Sequence, residues 1–478
     1  MGEFAGGGGN AGGNGGGGGR RRRRRRRFGS REGQPSVAPN FENGPPSGVV
    51  HELAGPAWNP GAGGGGARRR GRRRRGGFGG GAPRPAMPGN GGQPQTQGRP
   101  AVAVLPAGEP DVEVRGVLQI LQDGSGFLRQ AANDYNPEPG DPWVPREIVA
   151  ASAFETGVEL TGLAHPPDRP GRSPVLATIR EVNGTDPAAW ASRTPFKNLV
   201  AEDPTERIRL ENDPADLSTR VVDLIAPIGK GQRCLIVAPP KAGKTVLMQR
   251  MAKAITVNHP EIHLIVLLVD ERPEEVTDMR RSVRGEVVAS SSDEMARTHV
   301  AVAEIVLERA KRLVECGRDV VLLLDSITRL SRAYNNEQKS SGRVLSGGID
   351  ARTMEKPRRF FGAARKCVQG GSLTVIGTAL VDTGSRMDDV IFQEFKGTGN
   401  TEIVMDRGLF ERRIFPAIDI SSSGTRKEEK LYGADEFPRV TLLRRALAPL
   451  RAQEAMQLLV ERVGRYPTNE EFLKNLLG

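Results

Sequence analysis

Cysteine is nearly absent. The 478 residues hold only Cys234, Cys316 and Cys367, far apart and with no CxxC pair. That pattern fits buried thiols in a reducing compartment rather than a disulfide framework. The five histidines show no metal-ligand spacing. The longest apolar runs, such as Leu264–Val269, fall far short of a membrane span. No charged stretch followed by an apolar one opens the chain as a secretion signal would, and no repeat of solenoid period is found. The expectation is a soluble, cytoplasmic protein with no membrane contact.

Lysine is missing from residues 1–110, yet this segment carries the whole basic excess: 18 Arg against 5 Glu gives +13, while the formal net charge of the chain is +12. The remainder, 111–478, is close to neutral, so a whole-chain charge argument for nucleic-acid binding would mislead. Residues 1–110 also hold 33 of the 61 glycines and few large apolar side chains. Such a segment cannot bury enough surface to offset its ordering entropy, and it reads as a disordered Gly/Arg/Pro-rich tail.

The rest is long enough for two folded units. Residues 111–185 show short strands punctuated by turns, as in Val117–Leu121, Gly126–Leu128, Val158–Leu163 and Val175–Ile179, which suggests a small β-barrel. A Pro-rich, charged connector covers 186–222. Over 223–430 buried-strand runs (Cys234–Val237, Leu264–Val269, Val320–Leu324, Leu373–Leu380) alternate with helical patterns, the signature of an α/β domain on a parallel sheet. Residues 431–478 read as a helical segment packed on that domain.

A phosphate-binding loop stands out. Ala238-Pro-Pro-Lys241-Ala242-Gly243-Lys244-Thr245 follows a strand and opens a helix. Backbone N–H groups and the helix N-terminus offer positive potential to phosphates. Lys244 is placed to reach the β- and γ-phosphates, and Thr245 to hold Mg²⁺ through its hydroxyl. Ala238 stands where the strict motif has Gly; either that position is not left-handed or the loop is strained. Asp325, ending one strand, is the candidate metal-linked carboxylate. Glu271, ending another, is the candidate for polarising water, with Asp270 as the alternative. Carboxylates at the C-terminal edge of an open α/β sheet lie where such sheets bind ligands.

Taken together, Ala238–Thr245, Val269–Val276, Leu324–Leu330, Phe361–Arg365, Asp382–Arg386, Glu394–Asn400 and Ser423–Glu429 resemble the Rho family of transcription termination factors. The resemblance implies a RecA-like P-loop ATPase domain preceded by an OB/cold-shock-like barrel, and a homohexameric ring with ATP sites between subunits. It implies Arg426 as an arginine finger and Arg413 as a second interface arginine. Gly229, Lys230, Gly231, Gln232, Arg233, Cys234, Val246 and Arg272 become further nucleotide contacts, and Phe415 a base-stacking position. Channel contacts to RNA would come from Val344, Leu345, Ser346, Gly347 and Gly348, from Arg386 (where the family usually has Lys), and from Lys396.

The same resemblance assigns primary RNA contacts to Gly124, Ser125, Gly126, Phe127, Leu128 and Arg129, with a second set at Asp141, Pro142 and Trp143. Ser125 departs from the family, which usually has an aromatic there, leaving Phe127 and Trp143 as stacking platforms; the plainer alternative is that both pack a small core. Arg blocks between glycines resemble RGG-type RNA-binding segments, with a merely solubilising extension as the plainer reading. The partners implied are single-stranded RNA, the RNA polymerase elongation complex, further copies of the chain and Nus-type transcription factors; the cofactors are ATP and Mg²⁺. Two rival functions share parts of the pattern: a ring ATPase of the ATP-synthase or export type, and a non-catalytic Arg/Gly-rich RNA scaffold.

Overall fold

The computed structural model describes residues 112–169, 171–337, 348–350 and 352–476, so the Gly/Arg tail and Val344–Gly347 of the expected channel loop lie outside the described residues. The first folded unit has strands β1 (Val112–Ile120), β2 (Gly126–Arg129), β3 (Trp143–Val144), β4 (Glu159–His165) and β5 (Val175–Val182). They close into a barrel in the order β1-β2-β3-β5-β4. Alternation decides what faces inward: Leu118, Leu128, Val144, Leu160 and Leu176 share one core. Their neighbours Phe127 and Trp143 therefore fall on the opposite face, directly paired between β2 and β3. Two glycines make the β1–β2 hairpin possible. Gly124 turns the chain at φ +85°, and a Cβ on Gly126 would sit 2.6 Å from Leu118 Cδ1.

The second unit contains β6 (Arg233–Ala238), α1 (Lys244–Asn258), β7 (His263–Glu271), α2 (Pro273–Ser282), β8 (Glu286–Ser291), α3 (Ala296–Glu315), β9 (Val320–Asp325), α4 (Ile327–Glu337), α5 (Glu355–Gly362), β10 (Ser372–Leu380), α6 (Arg386–Lys396), β11 (Thr401–Val404), α7 (Arg407–Glu411) and β12 (Gly424–Thr425). The sheet order is β8-β7-β9-β10-β6-β11-β12. All these pairs are parallel except β11–β12. Such a sheet is buried on both faces, which is why its strands read as near-continuous apolar runs. On β6, Cys234, Ile236 and Ala238 join one core and Leu235 and Val237 the other.

The helices α8 (Glu436–Leu447), α9 (Ala452–Val463) and α10 (Asn469–Lys474) contribute Val440, Leu443, Met456, Leu459 and Phe472 to the first of these cores. The helix Leu217–Ile225 runs across the expected start of the ATPase domain at 223 and is buried from Ser218 onward. Among the described residues no helix is long and apolar enough to cross a membrane.

Candidate nucleotide and RNA sites

The C-terminal ends of β6, β7, β9 and β10 line one edge of the sheet, and the catalytic candidates converge there. The loop after β6 turns through Lys241 at φ 62° and Gly243 at φ 89°, then enters α1 at Lys244. Ala238 is not among the left-handed residues; it continues the strand, pairing with Leu380. A methyl group costs nothing in that geometry, and the loop's departure from the strict motif carries no strain at this position.

Lys244 Nζ donates to Asp325 Oδ1 and, at 3.2 Å, to Glu271 Oε1. Thr378 Oγ, from the intervening strand β10, donates to the same Asp325 oxygen at 2.8 Å. Arg329 on α4 holds the other side of Glu271, with Nη1 3.0 Å from Oε2, and also donates to the Asp270 carbonyl. Glu271 and Asp325 are 2% and 1% exposed. Burial, followed by the charge of Asp325, pushes the Glu271 carboxyl above the usual carboxylate range, with Lys244 and Arg329 opposing. Burial alone would lower the Lys244 ammonium, but Asp325 and Glu271 outweigh it and hold it above the ordinary lysine range. Thr245 and Asp325 each offer oxygen donors, the chemistry Mg²⁺ takes.

An aromatic group flanks this loop. Phe415 is 45% exposed and meets Phe410 edge-on, with ring centroids 5.5 Å apart. The Phe410 ring in turn lies against Gly243. Arg413, left-handed at φ 61°, puts its guanidinium 5.9 Å from the Phe410 centroid. Arg272 is exposed at the start of α2.

The opposite edge of the sheet carries a different set. Arg426 N bonds to Asn400 O, and Asn400 N to Arg233 O, which places Arg426 where β6 begins. At about 3.3 Å per residue, β6 alone puts roughly 17 Å between that edge and the phosphate loop. Arg426 is exposed and lines a cavity of 360 Å³ with Gly399, Asn400, Glu402 and Arg444. Gly229–Cys234 lie at this same edge. Lys230 Nζ is paired with Asp319 Oδ2 at 2.7 Å, and Gln232 and Cys234 are 1% and 0% exposed.

Near the expected channel, the Asp382–Arg386 turn leads into α6, which starts at Arg386 and ends at Lys396, both exposed. The turn is anchored through fully buried Asp388. Its Oδ1 accepts from Arg332 Nε at 2.8 Å, and its Oδ2 from Thr383 Oγ at 2.6 Å. Gly348, at φ 81°, is the described residue of the other channel stretch.

On the barrel, Phe127 and Trp143 are half-buried on the outer face. Arg129 lies on the same side of β2, its guanidinium 5.0 Å from the Phe127 centroid. It donates to Asp141 Oδ2 at 2.6 Å and to Gln119 Oε1 at 2.7 Å. Two aromatic faces beside a buried arginine–carboxylate pair make a surface suited to stacking bases and bonding their edges.

Comparison with known proteins agrees with this two-part layout. Residues 218–425 match the family described as ATP synthase alpha/beta family, nucleotide-binding domain. Residues 114–188 match the family described as Rho termination factor, RNA-binding domain. Transcription termination factor Rho of Cereibacter sphaeroides is 53% identical over 364 residues, covering 76% of this chain and 86% of that protein. The Aquifex aeolicus protein of the same name is 54% identical over 367 residues, 76% and 84% of the two chains. The one from Pseudomonas aeruginosa is 52% identical over 364 residues, 76% and 87%. This chain belongs to the Rho family.

Within this Rho family member, the residues picked from sequence divide into groups. Lys244, Thr245, Glu271 and Asp325 gather at one edge, with Lys241, Ala242, Gly243 and Val246 on the loop and first helical turn. Between the two acidic candidates for water activation, the Glu271 carboxylate is the one held by Lys244 and Arg329. Gly229–Cys234 and Arg426 stand at the other edge, at the start of β6, away from the loop that carries Lys244.

Side-chain roles on the barrel are revised too. Leu128 is 0% exposed, because strand alternation sends it into the core. The Ser125 hydroxyl is taken up by Asp123 Oδ1 at 2.8 Å. Neither side chain is presented to the outer face, and Ser125 N also donates to Asp123 Oδ1, at 3.0 Å. Pro142 is likewise buried. Thr378, Phe410 and Arg332 were not reachable from sequence, since each acts through a partner distant in the chain. Arg329 sits inside the Leu324–Leu330 motif, but nothing in that motif says it pairs with Glu271.

Proposed function

We infer that this Rho family member is an RNA-dependent ATPase that works as a homohexameric ring, moves along single-stranded RNA in the cytoplasm, and releases nascent transcript from RNA polymerase. One observation supports the ring above all others: the phosphate loop and the exposed Arg426 stand at opposite edges of the same sheet. Stacking subunits edge to edge brings the exposed Arg426 of one chain to the Lys244 loop of the next, while Gly229–Cys234, mostly buried, shapes the edge that carries it. Lys244 then grips the β- and γ-phosphates, Glu271 orients and deprotonates the attacking water, and Arg426 neutralises charge developing on the transferring group. Thr245 and Asp325 would hold Mg²⁺, which would supply positive charge to the phosphates. Arg272 is a further phosphate contact and Phe415 a platform for the base. The channel loops, with Arg386 and Lys396, carry RNA past the sites, and Nus-type factors are candidate partners of the assembly on the polymerase.

The test is ATP turnover with and without single-stranded RNA, paired with the mass of the assembly. Strong stimulation by RNA and a six-fold subunit mass are expected. A monomer hydrolysing at full rate without RNA would overturn the reading. The barrel's aromatic face weighs against a ring ATPase serving protein export, and the Lys244–Glu271–Asp325 constellation against a passive RNA scaffold.

The chemistry of the barrel and of the tail sets two expectations for RNA binding. Phe127→Ala and Trp143→Ala should each weaken binding of short single-stranded RNA by about 1–3 kcal/mol, the usual worth of a stacked base, read by fluorescence titration. Because neither ring belongs to the barrel core, thermal stability should change little. Deleting residues 1–110 should lower RNA affinity and flatten its salt dependence, the log–log slope shrinking by about 0.7 for every phosphate the tail had neutralised. The ATPase domain should stay folded; an unchanged salt slope would assign the tail a role other than charge neutralisation.

A further inference from the structure

The base platform at Phe415 needs a support, because a side chain 45% exposed turns freely in water unless something fixes its plane. Phe410 supplies that support. The two rings meet at 83° with centroids 5.5 Å apart, the edge-to-face arrangement that aromatic quadrupoles favour. Phe410 touches two other parts of the site. A Cβ on Gly243 would sit 3.4 Å from its ring atoms Cδ2 and Cε2, so the ring lies flush with the phosphate loop. The Arg413 guanidinium is 5.9 Å from its centroid, within range of a cation–π attraction.

Phe410 is itself held in place. Asp406 caps α7 by accepting from Leu409 N at 2.7 Å, and Leu409 is 2% exposed in the core. Arg413 N closes the turn by bonding Phe410 O at 3.0 Å. One ring thus touches the loop that grips phosphates, the platform that would stack the base, and an arginine at the same edge. A nucleotide has a fixed distance between base and polyphosphate, so the spacing of loop and platform selects for it.

We propose that Phe410 is a positioning residue for the nucleobase: it fixes the Phe415 plane at a set distance from the phosphate loop and so favours nucleotide over bare polyphosphate. This rests on the reading of Phe415 as the base platform. The test uses the full chain and two probes, a non-hydrolysable ATP analogue and inorganic tripolyphosphate, with equilibrium binding as the readout. Phe410→Ala should weaken the analogue about 2- to 12-fold, the worth of an edge-to-face pair, while tripolyphosphate affinity is retained. Phe410→Leu, which keeps apolar bulk against Gly243 but no ring, should lose analogue affinity in the same direction.

Equal loss for both probes would reduce Phe410 to a prop for the loop and overturn the proposal, as would no loss for either. Wild-type binding by Phe410→Leu would overturn the aromatic geometry. Phe415→Ala separates the two levels. If it leaves the ratio of the two affinities unchanged, the base platform itself is wrong. If it lowers that ratio and Phe410→Ala does not, only the role given to Phe410 fails.

Discussion

Arg426→Ala is expected to lower the maximal ATPase rate about 10³- to 10⁵-fold, the range over which an arginine finger acts, while nucleotide affinity stays near that of the unaltered protein. The reasoning is geometric. Arg426 has its backbone tied to Asn400, and through it to Arg233 at the start of β6. The Lys244 loop lies beyond the other end of that strand, roughly 17 Å further on, so an arginine side chain cannot bridge the gap within one subunit. Arg426 is exposed and forms no ion pair with another of the described residues. It is therefore available to a neighbouring subunit and is not spent on stability.

With ground-state nucleotide held by the loop, as proposed, removing Arg426 should affect turnover and spare binding, the pattern of an interaction made mainly in the transition state. On the proposed shared site, the rate per subunit of the unaltered protein should rise with protein concentration. Arg426→Lys should rescue little, since a point charge does not reproduce the planar fork. A full rate in Arg426→Ala would remove the basis for a shared site.

What the sequence makes legible here are features that local rules dictate. The Gly243-Lys244-Thr245 loop is readable because strand, loop and helix follow one another in the chain. Glu271 and Asp325 are readable because each ends an apolar run. Leu264–Val269 and Val320–Leu324 betray buried strands because both faces of the sheet are covered. By contrast, β8 (Glu286–Ser291) and β11 (Thr401–Val404) escape notice. Polar residues occupy both, and β11 is also short: Glu286 bonds His263 and Arg309, and Thr401 bonds Thr425 on β12. Their pairing comes from the sheet, not from their own pattern.

The same limit applies at the site. Thr378 lies 53 residues from the Asp325 carboxylate it donates to, and inside its strand it reads as one more buried β-former. The outward set of Phe127 and Trp143 could be read only once the register of β2 and β3 was known, because a one-residue slip would send both rings into the core.

Glu271→Gln should reduce turnover about 10²- to 10⁴-fold, the contribution of a positioned general base, and leave ATP binding intact. Glutamine matches the shape and keeps an oxygen for Lys244 or Arg329, but it cannot take a proton. The carboxylate's raised pKa, caused first by burial and then by Asp325, brings its proton affinity closer to that of a base useful near neutral pH. The acid limb of the kcat/KM profile, which reports the free protein, should therefore lie above the ordinary glutamate range, and the residual activity of Glu271→Gln should lack that limb.

Stability moves in the opposite sense. A carboxylate whose folded pKa exceeds its unfolded value costs nothing at low pH, where both states are protonated. It destabilises the fold increasingly as pH rises through the unfolded and then the folded pKa. Without nucleotide, Glu271→Gln should thus melt no lower than the unaltered protein at alkaline pH, with the difference shrinking as pH falls. A variant that is both inactive and markedly less stable at alkaline pH would point to Glu271 as a structural ion-pair partner of Lys244 and Arg329; an inactive variant of equal or greater stability fits a base held, at some expense to the fold, where water is to be attacked.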